Sequence, residues 1–391
     1  MDNKIENKFS WKIKELKPSA TLLINKKVAE MKAAGEEIIN LSVGEPDFGT
    51  PDFIKDSAIK AINEGFTRYT DSSGIRELRE AICKKFFHDN NLVYTPEQVV
   101  VSNGAKHSLF NIFLAICDEG DEVIIPRPYW VSYPEMVKIT GGKPVLCRFD
   151  DKYRFDIEHF KSLVNKNTKA VILNSPSNPS GMVYSEEELK KIGEIVLKNQ
   201  ILCISDEVYE YFIYGGNRHI SIASLGEELK NLTIVVNGVS KTFSMTGWRI
   251  GYLAAPLPLA KIISDIQSQT TSNPSSVSQK AALAAIFSNP SGIAPIIREF
   301  ETRRNFIVEN LDKSIKFIKP EGAFYLLLKV ENLNSLQLSK KLLEEEKIAT
   351  VPGNDFGIEG FVRISFAVKM ETLKEAIARI NKLAKKYDEK S

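Results

Sequence analysis

Lys241 closes the run "NGVSK" at the end of an apolar segment, "TIVVN" (233–237), and Arg249 follows eight positions later. A lysine held away from water is costly unless it is paired or chemically changed. Two readings are open: a loop lysine pointing at solvent, or an amine that attacks a carbonyl and forms a Schiff base. Other candidates also follow apolar segments. Asn103-Gly104-Ala105-Lys106 comes after "QVVVS" (98–102) and opens "KHSLFNIFLAI", where the free N–H groups of a helix start can receive a phosphate. Asn178 is held between prolines in "NSPSNPSG", after "AVILN" (170–174). Asp206 and Tyr209 stand three apart in "DEVYEY", after "ILCIS" (201–205). Singly these signals are weak, since an aspartate after a strand is most often a helix cap. Together, four segment ends supply a phosphate nest, an amide, a carboxylate with a phenol, and an amine.

The elements that must position these groups come from the same stretch. Between about 98 and 256, short β-rich runs alternate with helical segments; "EVIIP" (122–126), "KPVLCRF" (143–149) and "RIGYLAA" (249–255) complete a set of seven. Most are continuous apolar runs, as expected where helices cover both faces of a mainly parallel sheet. "SEEELKKIGEIVLKNQ" (185–200) pairs Ser185 with Glu188 at capping-box spacing and then turns helical in period. Repeated β-α-β units make an open α/β sheet, whose ligands lie beyond the carboxyl ends of its strands. After a break marked by Pro290 and Pro295, the chain reads as a smaller α/β lobe. It comprises a helix (about 293–312), "GAFYLLLK" (322–329), a helix (335–346), "IATVP" (348–352), "FVRISFA" (361–367) and a last helix from about 370. A helix near 21–34 and "EIINLSVGEPDFGTP" cross back onto that lobe. The expected division is 1–49 for an N-terminal arm and part of the small domain, 50–289 for the large domain and 290–391 for the C-terminal small domain.

Composition narrows the function class. The 391 residues are 43% hydrophobic and 26% charged, with a net charge of +2. That suits a soluble globular protein and gives no basic field for nucleic acid. Cys83, Cys117, Cys147 and Cys203 form no C-x-x-C pair, so reduced thiols in a cytoplasmic protein are expected. No apolar run approaches membrane-spanning length, and the polar start "MDNKIENKFSWK" suits neither a signal nor a transit peptide. The histidines His88, His107, His159 and His219 have no metal-site spacing, and "SEEE" and "LEEEK" read as solvated helix faces. The donor set matches pyridoxal 5′-phosphate, which needs an amine, a carboxylate for its pyridine nitrogen, donors to its phenolic oxygen and a phosphate site. There is no G-x-G-x-x-G after a strand and no P-loop, although "GVSKT" superficially resembles one.

"SKTFSMTGWRIGY" resembles the lysine motif of the class I aminotransferases, the aspartate aminotransferase family of fold type I pyridoxal-phosphate enzymes. "LSVGEPDFGTP", "RYTDSSGIRELREAI", "PYWVSYPEM", "NSPSNPSG", "SDEVYE", "GAFY" and "VRISFA" resemble the family's other segments, in its order. The resemblance runs from about Lys17 to Lys382, and within the family it points to the bacterial aspartate aminotransferases, some of which also accept prephenate. It implies a fold with a seven-stranded, mainly parallel large domain and a small lobe built from both chain ends. It also implies a ping-pong exchange between L-aspartate and 2-oxoglutarate, in a homodimer with shared active sites. The alternatives within the family act on aromatic amino acids, kynurenine or alanine. A regulator of this fold would carry a winged helix ahead of the matching region, and only about sixteen residues precede it here.

By resemblance, Lys241 bonds the cofactor and then moves the substrate's proton, while Asp206 pairs with the pyridine nitrogen. Asn178 and Tyr209 donate to the phenolic oxygen, and Trp130 either stacks on the ring or is simple core packing. The backbone of Ala105 and Lys106 joins Arg249 in holding the phosphate, and Tyr69 reaches it from the neighbouring subunit. Many relatives carry a serine where this chain has Gly238; Ser240 is the candidate replacement. Arg363 grips the substrate's α-carboxylate with Gly44 and Asn178, and Ser19, Thr21 and Lys106 meet its distal carboxylate. The plainer alternative for Lys106 is a helix-start lysine near the phosphate. No metal is expected.

Overall fold

The computed structural model describes residues 8–13, 16, 18, 20–288 and 293–388. Ser19 and Pro290, and with Pro290 the start of the expected C-terminal domain, lie outside the described residues.

Thirteen strands are described. β1 (Ile39–Asn40) is followed by β2 (Val99–Ser102), β3 (Glu122–Pro126), β4 (Lys143–Cys147), β5 (Thr168–Asn174), β6 (Leu202–Asp206), β7 (Thr233–Gly238) and β8 (Gly251–Ala254). Then come β9 (Ile315–Ile318), β10 (Tyr325–Val330), β11 (Ile348–Ala349), β12 (Val351–Pro352) and β13 (Val362–Ser365). β2 to β8 form one sheet in the order 2-8-7-6-5-3-4. Neighbours from β7 to β4 run parallel, whereas β8 is antiparallel to both β7 and β2. The apolar content of "RIGYLAA" gave no sign of this reversal. Because β8 inverts twice, β2 points the same way as β5, β6 and β7, so all four carboxyl ends open on one edge.

The continuous apolar runs are buried on both faces: every residue of β2, β3 and β7 is buried. Val100, Ile125, Ile204 and Val236 pack in one apolar cluster, while Val99, Val101 and Val235 pack in another. Alternate residues of a strand point to opposite faces, so two layers of helix are needed to cover them. The helix Glu186–Asn199 is closed at its start by the expected Ser185–Glu188 capping box.

The remaining strands tie the two chain ends together. β12, β13, β10 and β9 form an antiparallel sheet, and β1 pairs in parallel with β11. A separate core of Phe300, Phe324, Phe366, Leu373 and Ile380 lies under these elements. "GAFYLLLK" becomes strand only at Tyr325, since Ala323 takes a left-handed φ of 55°. "IATVP" splits into β11 and β12, which join different sheets. Among the described residues, no helix is long and apolar enough to cross a membrane.

Candidate active site

A cavity of about 370 Å³ lies beyond the carboxyl ends of β2, β5, β6 and β7, where the helix Ala105–Ile116, Arg363 and Gly44 also meet. Lys241 reaches it from the turn after β7, and its ammonium donates to the Gly44 carbonyl at 2.7 Å. Burial is the main force on this amine and lowers its pKa to about 8; Glu45 opposes, while Arg249 and Arg363 add to the fall. Asp206, the last residue of β6, is only 4% exposed. Burial raises its pKa to about 6, against a hydrogen bond from the Tyr133 hydroxyl to Oδ2 at 2.5 Å.

The start of the helix Ala105–Ile116 forms a close-fitted corner. Gly104 caps it at φ 90°, and a Cβ there would lie 2.3 Å from Arg249 Nη2. A Cβ on Gly251 would lie 2.1 Å from the Ala105 nitrogen. Both glycines are therefore needed for β8 and the Arg249 guanidinium to approach the free N–H groups of this helix. Arg249 donates to the Thr246 and Asn103 carbonyls at 2.9 and 3.2 Å. Gly238, where a serine was expected from the resemblance, faces Gly251 across the ladder. A Cβ at 238 would sit 3.1 Å from the Gly251 Cα and 3.2 Å from the Ile250 carbonyl. A serine would press on backbone that has little room to move. Ser240 lines the same cavity.

Arg363 is 2% exposed, yet its hydrogen bonds among the described residues go to neutral acceptors. Nη1 donates to Asn178 Oδ1 at 3.1 Å, Nη2 donates to the Ser42 carbonyl at 2.5 Å, and Nε has no partner among the described residues. The guanidinium lies over the rings of Tyr325 and Phe356, 4.6 and 5.1 Å from their centroids. Burial pulls its pKa down, and the groups that oppose this are phenols, not carboxylates. A buried cation without an acidic partner is a strong attractor for an anion.

Tyr209, Asn178 and Trp130 also line the cavity. The Tyr209 hydroxyl shares a hydrogen bond with Tyr325 at 2.9 Å. Lys106 stands over the Trp130 indole at 4.8 Å, and burial followed by repulsion from Arg249 lowers its pKa. Tyr69 is not in this cavity; it is 88% exposed. Ser19 lies outside the described residues, and Thr21 falls in the helix Ala20–Ala33, with its side chain outside them. The next residue, Leu22, lines the mouth.

Tyr133, Tyr325 and Ser42 were not singled out from the sequence. All three lie in segments that carry the family resemblance, but the aromatic content of "PYWVSY" and "GAFY" is equally a core signal, and nothing marked Ser42 within "LSVGEPDFGTP". In the two expected solvated faces, Glu187, Glu344 and Glu345 are exposed, and one residue of each face departs from the expectation. Glu188 is half-buried and bonds Arg154, while Glu346 is buried and pairs with Lys382. Behind Asp206, Glu207, Glu210 and His219 gather despite their spacing in sequence. Glu207 accepts from Ser205, Ser221 and His219, and Glu210 pairs with Lys85 and accepts from Asn90 and Asn237.

The family model for aminotransferase class I and II matches residues 36–380. The chain belongs to this family. It is 47% identical over 386 residues to the aspartate aminotransferase of Geobacillus stearothermophilus, covering 96% of this chain and 98% of the relative. It is equally 47% identical over 383 residues to a probable aspartate/prephenate aminotransferase of Aquifex aeolicus, covering 95% and 97%. The structure of a Thermus thermophilus aspartate aminotransferase with maleate superposes with a TM-score of 0.92 at 38% identity, covering 96% and 99%. As a member of this family, the chain is an aminotransferase with the α/β architecture of these enzymes.

Proposed function

We propose that this chain exchanges the amino group between L-aspartate and 2-oxoglutarate, giving oxaloacetate and L-glutamate, with pyridoxal 5′-phosphate held in the cavity. One observation carries this most directly. A buried amine with a pKa lowered to about 8 shares a cavity with a buried guanidinium that no carboxylate neutralises among the described residues. The residues fit the cofactor: the corner at Gly104 and Arg249 suits a phosphate, and Asp206 lines the same cavity as an acceptor for a pyridine nitrogen. When bound, the cofactor supplies an aldehyde carbon that takes up the amino group and a ring that withdraws electrons from the substrate carbon.

The protein's own groups do the rest. Lys241 would hold the cofactor through its amine, and that amine is the group placed to carry the proton away from the substrate's α-carbon. Its lowered pKa leaves a usable fraction of neutral amine near pH 7 to 8. Asp206 would keep the ring nitrogen protonated, and Tyr209 and Asn178 would donate at the phenolic oxygen. Trp130 would cover the ring, and the backbone of Ala105 and Lys106, with Ser240 and Arg249, would hold the phosphate end.

Arg363 binds the α-carboxylate through its planar fork, together with Gly44 and Asn178. Lys106, with Ser19 and Thr21, meets the distal carboxylate, and the names of the relatives support an acidic substrate. The same site is proposed to accept prephenate. Residues 50–289 form the large domain and the two chain ends the small one, which closes over the substrate. Tyr69, exposed in the single chain, completes the site of a second copy in a homodimer. The test is a panel of amino acids and 2-oxo acids, each assayed for turnover of its half-reaction. Aspartate, glutamate and their oxo acids should lead; a preference for alanine, kynurenine or aromatic acids would reassign the substrate.

A further inference from the structure

The hydrogen bond between Tyr209 and Tyr325 poses a question of direction. A phenol has one proton, and Tyr209 is asked to give its proton to the cofactor. It then has only its oxygen left for Tyr325. Tyr325 must be the donor of the pair.

Several features of Tyr325 suit that duty. It begins β10 beside β13, the strand that carries Arg363, and is 0% exposed. The Arg363 guanidinium lies over its ring face at 4.6 Å. A cation there stabilises negative charge developing on the phenol oxygen and strengthens the O–H as a donor. Burial raises the Tyr325 pKa and Glu45 adds to the rise, with Arg363 and the Tyr209 hydrogen bond opposing it; Tyr209, also buried, is pushed well above the usual phenol range. The Tyr325 hydroxyl also occupies the space beside Gly44, where a Cβ would lie 2.8 Å away; the Gly44 carbonyl accepts from Lys241. Packing from two sides leaves the hydroxyl little freedom to turn away from Tyr209.

We propose that Tyr325 is a positioning residue: its hydroxyl donates to Tyr209 and so directs the Tyr209 proton onto the cofactor's phenolic oxygen, while its ring seats Arg363. One side chain thus links the cofactor's oxygen to the site that takes the substrate's carboxylate. This rests on the cofactor assignment made above.

The test compares Tyr325→Phe, Tyr209→Phe and the double variant, each loaded with pyridoxal phosphate and titrated by visible absorption. Charged groups facing the Lys241 nitrogen are Glu45, Arg249, Arg363 and Asp206, all unchanged in these variants. Loss of the phenol donor should make the bound nitrogen more basic. Tyr325→Phe should therefore move the spectral midpoint up by roughly half a unit to one unit, less than Tyr209→Phe. In the Tyr209→Phe background it should add nothing. KM for aspartate should change little, because the ring under Arg363 remains; Tyr325→Leu should raise KM for every α-carboxylate substrate. A midpoint equal to that of the parent, or a shift that persists without the Tyr209 hydroxyl, overturns the proposal. Failure of the parent protein to bind the cofactor would instead overturn the cofactor assignment.

Discussion

Replacing Arg363 by lysine keeps the charge and removes the fork. In the native arrangement the guanidinium is fixed by the Asn178 side chain, the Ser42 carbonyl and two aromatic faces. It can therefore present two parallel N–H groups to a carboxylate without further ordering. A lysine ammonium at the end of a flexible stem presents one. Loss of one charge-assisted hydrogen bond costs about 1.5–3 kcal/mol, or roughly 10- to 150-fold in kcat/KM. Stacking on Tyr325 and Phe356 exists before and after substrate arrives, so it fixes the pose and contributes little to the difference. Arg363→Ala removes the charge as well and should cost about 2–5 kcal/mol. The assay is kcat/KM for aspartate beside the half-reaction of a simple alkylamine, which has no carboxylate to bind. Aspartate should lose the full factor and the amine almost nothing. An equal loss on both, or a lysine variant as active as the parent, would refute the assignment of Arg363 to the α-carboxylate.

Lys106→Ala should reduce kcat/KM for aspartate, glutamate and their oxo acids by roughly 30-fold or more, from an unpaired distal carboxylate; alanine and phenylalanine should lose much less, and a uniform fall would assign Lys106 to the phosphate. A Tyr69→Phe protein mixed with a Lys241→Ala protein should regain activity through mixed dimers with one intact site; an active monomer by light scattering would contradict the shared site. Attachment of the cofactor to the apoprotein needs the neutral amine, whose fraction grows as pH rises. With the Lys241 pKa lowered to about 8, the attachment rate should rise with pH around that value, and a midpoint near the 10.5 of a free lysine would show that the burial is ineffective.

Much of the site's placement was legible because an open α/β sheet concentrates its ligand groups at strand ends. Asp206 and Lys241 could be located by finding where apolar runs stop, with no knowledge of pairing. The antiparallel course of β8 was not legible, because a buried strand reads the same in either direction. Partners across long sequence separations were also hidden. Tyr133 meets Asp206 across 73 positions, and Arg363 meets the Ser42 carbonyl across 321. An aromatic side chain that orients a catalytic group has the same local pattern as one that fills a core. Gly238 was visible as a departure from the family pattern, but the close approach of Gly251 that a side chain there would meet comes only from strand pairing. Glu188 and Glu346 depart from their otherwise solvated faces for a similar reason, since Arg154 and Lys382 come from other elements.

The decisive measurement is chemical. Pyridoxal phosphate is added to the purified protein, the lysine–cofactor bond is fixed with borohydride, and the digested peptides are mapped by mass spectrometry. The cofactor's mass should appear on the peptide carrying Lys241, and a Lys241→Ala protein should give no such adduct at any single lysine. Stoichiometric labelling of a different lysine, or none at all in a folded protein, would contradict the role given to Lys241.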